Sequence, residues 1–134
     1  MTGIYVASKV RHAGTWTILR DTGLPVISTW IDEAGVGQSD LRDLWRRCVA
    51  EVKSADVLLL YRLGGEILKG GWIEAGVAAG AGIPIYAVGI DEFTFAHFEG
   101  VTHFANLDAA VEAARSLLGI APAAAAVPVL QEVS

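Results

Sequence analysis

Cysteine is almost missing from this chain: Cys48 is the sole one among 134 residues. No intrachain disulfide can form, and a reducing compartment is the simplest expectation. Clustered positive charge is missing as well. Lys and Arg total 10 against 15 Asp and Glu, a net charge of −5. The nearest basic grouping, Arg42 with Arg46 and Arg47, is interrupted by Asp43. Nucleic-acid polymers and anionic membranes both need clustered Lys and Arg, so neither is an expected partner. Long apolar runs are absent too, none reaching the ~18 residues of a spanning helix. The stretch Val57–Tyr61 stops at Arg62, and the one from Val77 is broken by Gly and Pro. The N-terminus enters a strand by Ile4 without the basic and apolar regions of a signal peptide. A soluble cytoplasmic protein is therefore expected. No His, Cys and Asp spacing suggests a metal site, and no cofactor is expected.

What the chain does have is apolar mass. Hydrophobic residues make up 53% of it, enough for burial to offset chain entropy in one domain. Residues 1–118 read as that domain, and 119–134, with Ala121-Pro122, four alanines and Val127-Pro128, as a loosely held tail. A mildly acidic enzyme of small metabolites fits this composition.

Along the chain, Ile4-Tyr5-Val6-Ala7 reads as a short buried strand and Pro25–Trp30 as a second. A weakly helical segment joins them, closed by Thr22-Gly23. A loop holding Asp32, Glu33, Gly35 and Gly37 leads to Asp40, the expected cap of an amphipathic helix. Leu41, Leu44, Trp45, Cys48, Val49 and Val52 fall on one face of that helix. Val57–Tyr61 is apolar on both faces, as a central parallel strand should be, and Asp56 is expected to anchor its start. A helix over Gly70–Gly82, a strand over Ile83–Gly89, a long loop and an edge strand over Val101–Ala105 come next. Asn106 then caps a last helix. This order implies an α/β fold: a single Rossmann or flavodoxin-like domain, its five-stranded parallel sheet covered by helices on both faces. Strand order 2-1-3-4-5 is expected, with a ligand crevice at the carboxyl ends of the first and third strands.

That crevice receives Ser8 and Lys9 from the first strand, Trp30 and Asp32 from the second, and Gly65 from the third. Beyond it lies the run Gly70-Gly71-Trp72-Ile73-Glu74-Ala75-Gly76, in which Glu74 is the only acidic residue. Gly65, Gly70 and Gly71 allow close backbone approach to a ligand, and free amides there could hold a phosphate. Amides at the start of the helix favour an ionised Glu74, and a positioned carboxylate can attack an anomeric carbon. The same position also suits a half-exposed helix charge. Trp30 could stack on a base or fill the core, and Trp72 could line a sugar pocket or pack between subunits. Lys9 could meet a phosphate or stand in solvent. His97 and His103 read as exposed loop residues.

Three stretches together carry a resemblance: Ile4-Tyr5-Val6-Ala7-Ser8, Ala55–Tyr61, and Gly65–Ala78 with its Glu-x-Gly-x-Ala element. They resemble the nucleoside 2-deoxyribosyltransferase-like family over roughly residues 3 to 118. The resemblance implies cleavage of the N-glycosidic bond of deoxynucleosides or their monophosphates, by base exchange or hydrolysis. It implies Glu74 as nucleophile and Tyr5 as its hydrogen-bonding partner. It also implies a homodimer or higher homo-oligomer in which a neighbour's loop completes each pocket. The family pattern places an Asp eight residues before Asp56, and here that position is Cys48. A neutral thiol is a poor general acid, so a nucleotide-binding or sensor module on the same fold is the alternative expectation. A structural assembly subunit using Trp45, Trp72 and the tail is a third.

Overall fold

The computed structural model describes residues 3–34 and 40–121. Four strands, β1 (Ile4–Ala7), β2 (Val57–Tyr61), β3 (Ile85–Val88) and β4 (Val101–Phe104), form one parallel sheet in the order β1-β2-β3-β4. Helices α1 (Ala13–Asp21), α2 (Trp30–Glu33), α3 (Leu41–Ser54), α4 (Gly70–Ala81) and α5 (Leu107–Leu117) connect and cover them. All five residues of β2 are buried, which fits its place inside the sheet. Its neighbours were read correctly in order, and among the described residues β4 pairs only with β3, at the edge of the sheet.

The expected second strand is the exception, and among the described residues the sheet has four strands rather than five. Pro25–Ile27 does lie beside β1, joined through a single parallel bridge between Ile4 and Val26. The Ile4 amide donates to the Pro25 carbonyl, and the Ile27 amide donates to Ile4. Pro25 has no amide proton of its own. One step further, the Val6 amide donates to the Ser28 hydroxyl at 2.7 Å. A side chain thus takes the place of the next ladder carbonyl, and the chain turns into α2 at Trp30. Asp32 and Glu33 lie in that helical turn, not in a loop; Gly35 and Gly37 lie outside the described residues. So does the tail from residue 122.

Strand alternation sorts the core into two layers. Ile4, Val6, Val57, Leu59 and Tyr61 face Trp16, Leu19 and the apolar stripe of α5. Tyr5, Ala7, Leu58, Leu60, Ile85 and Ala87 face α3 and α4. Tyr5 is therefore committed to the α3/α4 side by its place in a four-residue strand. The helix ends are tied as the sequence suggests. Asp40 accepts from the Asp43 amide, and Asn106 accepts from Ala109. Gly82 closes α4 at φ +76°. Asp56 accepts from the Gly3 amide at 2.7 Å and so pins the start of β2 to β1. Among the described residues no helix is long and apolar enough to cross a membrane.

Candidate active site

Gly71, Glu74, Ala75 and Ala78 form the buried stripe of α4, at the i, i+3, i+4, i+7 spacing of a helix face turned inward. Glu74 is thus a carboxyl carried on an otherwise apolar face, 8% exposed. It meets the fully buried Tyr5, whose hydroxyl donates to Glu74 Oε2. Cys48, on the facing stripe of α3, is a buried neighbour of both and interacts with each. Tyr5, Cys48 and Glu74 come from β1, α3 and α4, so the cluster exists only when the parallel crossovers are complete.

Above it opens a cavity of about 260 Å³, lined by Glu74, Cys48 and residues of four segments. Ser8, Lys9 and Val10 come from the end of β1, Trp30 from the start of α2, and Leu44 and Trp45 from α3. Leu68, Lys69, Gly70 and Gly71 form the approach to α4. The place is the carboxyl end of parallel strands, where open α/β sheets hold their ligands. Trp30 is fixed there by its indole N–H, which donates to the Val6 carbonyl at 2.8 Å. The Ser8 hydroxyl donates to the Lys9 carbonyl and accepts from Trp16 Nε1 at 2.9 Å. Its remaining lone pair can therefore accept from a ligand, while its proton is already engaged. Gly70 packs closely under Trp45: a Cβ there would stand 3.2 Å from Trp45 Cη2 and would shift that ring by a few tenths of an ångström.

Burial dominates the electrostatics. It raises the Glu74 carboxyl from 4.5 to about 7, against the opposing hydrogen bonds from Tyr5 and Cys48, with Glu51 adding to the rise. Helix amides were expected to favour ionisation, but Glu74 is the fifth residue of α4, past the first turn where that effect is strong. Burial pushes the Tyr5 hydroxyl upward too, with Glu74 reinforcing it, so Tyr5 stays a protonated donor. The Cys48 thiol is pushed up to about 11, chiefly by burial, and stays neutral. At neutral pH Glu74 is present in both protonation states, a property suited to a group that must gain and lose a bond or proton.

Of the residues singled out in sequence, Tyr5, Ser8, Lys9, Trp30, Gly70, Gly71 and Glu74 come together at this cavity or its floor. Three do not. Asp32 points away into a two-point ion pair with Arg20, at 2.9 and 3.0 Å. Gly65 serves a tight turn at φ +81°, in which the Glu66 amide donates to the Leu63 carbonyl. Trp72 leans on Phe93, 5.0 Å between ring centroids, and on Phe95, away from the cavity. Conversely, Leu44, Trp45, Leu68 and Lys69 line the cavity without having been singled out as site residues. The signal for the first two was the α3 stripe, where Leu44 and Trp45 precede Cys48 by one turn. His97 and His103 are both exposed, but His103 lies on β4 rather than in a loop and bonds the Ala96 carbonyl at 2.7 Å.

The chain matches no protein-family model, and no curated protein matches it significantly. What fold and site define is a parallel α/β protein with a buried Tyr–Glu pair flooring a pocket at its strand ends.

Proposed function

We propose that this protein breaks the N-glycosidic bond of a nucleoside or nucleoside monophosphate, deoxyribose being the expected sugar, with Glu74 as nucleophile. The observation that carries the reading is the Tyr5–Glu74 hydrogen bond at the floor of the cavity. In its ionised form Glu74 attacks the anomeric carbon. A C–O bond to the sugar forms while the C1′–N bond breaks, and the base leaves with the bonding pair and takes up a proton. Water, giving up a proton, or a second base then attacks the same carbon and releases the carboxylate. Tyr5 holds the carboxyl in one orientation and lowers the cost of its ionised form by hydrogen bonding. Trp30, Leu44 and Trp45 give the pocket an apolar wall suited to a base. Lys9 and Lys69 stand at the pocket with no ion-pair partner among the described residues, which suits a 5′-phosphate.

Val10, Leu41, Trp45, Ile67 and Ile73 are all exposed on the segments that carry the pocket. Such an apolar rim supports a homo-oligomer in which a second copy covers the pocket mouth. A second reading, ligand binding without turnover, is favoured by Cys48, whose high thiol titration leaves it neutral where proton transfer to the base is needed.

The test is chromatographic detection of free base from a pool of nucleosides and nucleotides, with and without an acceptor base. Release by the wild type and its loss in Glu74→Ala, with the fold retained, is the expected result. Ligand-dependent thermal stabilisation with no base released would favour the second reading.

A further inference from the structure

Glu66 lies outside the catalytic cluster, yet it joins the two loops, after β1 and after β2, that both lead into the pocket lining. Its side chain is 6% exposed, and Oε2 accepts from Arg11 Nε at 2.5 Å and lies 2.8 Å from His12 Nε2. Oε1 accepts from the Leu63 amide at 2.8 Å. Arg11 and His12 follow directly on Ser8, Lys9 and Val10; Glu66 stands two residues before Leu68, Lys69 and Gly70. The tie continues across the strand ends, because Arg62 Nε donates to the Glu66 carbonyl and its Nη1 to the Gly89 carbonyl. His12 and Tyr61 meet edge to face at 4.9 Å and close the cluster below. Burial alone would raise the Glu66 carboxyl. The Leu63 amide, Arg11 and His12 together outweigh it and hold the group below its ordinary value.

We propose that Glu66 is a positioning residue: its grip on Arg11, His12 and the Leu63 amide fixes the spacing of the two pocket loops and so sets ligand affinity. A carboxylate with three donors in hand is far more directional than apolar contact, and Leu68 is the one buried apolar side chain on segments 8–12 and 63–69. Val10, Leu63 and Ile67 are all exposed. Without the clasp, the segments 8–12 and 63–69 keep their strand attachments but lose the bonds that relate one to the other. The chemical step, carried by Tyr5 and Glu74 on β1 and α4, is left intact.

Two measurements on the full chain test this. Hydrogen exchange of the ligand-free protein is compared for wild type, Glu66→Gln and Arg11→Ala, the last altering an exposed residue from the opposite loop. Faster exchange in both 8–12 and 63–69, with β3 and α5 unchanged, is expected in each variant. Faster exchange confined to 63–69 in Glu66→Gln would overturn the proposal and leave Glu66 as a local turn residue. The second measurement rests on the N-glycosidase reading and uses base release from a deoxynucleoside monophosphate. KM is expected to rise roughly tenfold in Glu66→Gln with kcat within about threefold. A fall in kcat at unchanged KM would overturn it. If the wild type releases no base, the functional reading fails, while the exchange result still decides the clasp.

Discussion

The Tyr5 hydroxyl donates to Glu74 Oε2 across 69 positions of sequence, and both residues are buried at the floor of one cavity. The pair is enforced from two directions. Alternation along β1 turns Tyr5 toward α4, and the small-residue stripe of α4 turns Glu74 toward β1. A carboxyl held this way is desolvated, oriented and ready to change charge near neutral pH.

Removing the phenol isolates its effect. In Tyr5→Phe the hydrogen bond that lowers the Glu74 titration is gone, so the acidic limb of the pH–rate profile moves above 7. Base release at pH 6.5 falls roughly tenfold or more. The buried carboxylate also loses a donor, at a cost of about 1–3 kcal/mol in stability at pH 8. An unchanged acidic limb would show that Tyr5 does not act on Glu74.

Glu74 also leaves a signature in stability. Its titration is near 7 in the folded chain against an ordinary 4.5, so the folded state holds the proton more tightly than the unfolded state. The stability this group contributes is complete below about pH 4.5 and is lost as pH rises through 7. The full swing is on the order of 3 kcal/mol. Glu74→Gln keeps the shape without the charge, so its stability relative to wild type increases from pH 5 to pH 8. Urea midpoints at the two pH values measure this, and parallel changes in both proteins would contradict it.

Cys48 should be inert as a nucleophile. With its thiol pushed up to about 11, chiefly by burial, almost none is thiolate at pH 8. Iodoacetamide at pH 8 is expected to leave the native chain unmodified for as long as it takes to label the urea-unfolded chain completely. Rapid native labelling, read by mass spectrometry, would contradict the buried position.

Gly89 sets the geometry of the loop behind β3. It sits at φ +80°, and a Cβ there would stand 2.0 Å from the Arg62 carbonyl oxygen. Gly89→Ala is expected to destabilise the protein by more than about 2 kcal/mol. Gly76, with nothing within 4 Å of its virtual Cβ, is the control at which Ala is tolerated.

The parts of the fold legible in sequence were those with a strong repeating signal. The apolar run Val57–Tyr61 marked the sheet interior, and the stripe from Leu41 to Val52 marked a helix. Pro25–Trp30 misled because β-branched residues signal extended chain equally well with or without a ladder. What decides is whether each amide finds a carbonyl, and Ser28 intercepts one. Within the site, Glu74 and Tyr5 stood out, while Asp32 and Trp72 were misplaced for a shared reason. Sequence put them next to site residues, but their partners, Arg20 for one and Phe93 with Phe95 for the other, are fixed by tertiary packing alone. The Glu66 clasp was invisible because Arg11 and His12 lie 55 and 54 positions away.

The central claim, that Glu74 forms a bond to the sugar, is tested most directly by mass. The protein is mixed with a deoxynucleoside or deoxynucleoside monophosphate, quenched in acid within the first turnover, digested and weighed. The account predicts that the peptide carrying Glu74 gains the mass of the transferred sugar residue, and that Glu74→Gln gains none and releases no base. Base release by the Glu74→Gln protein at the wild-type rate would contradict it.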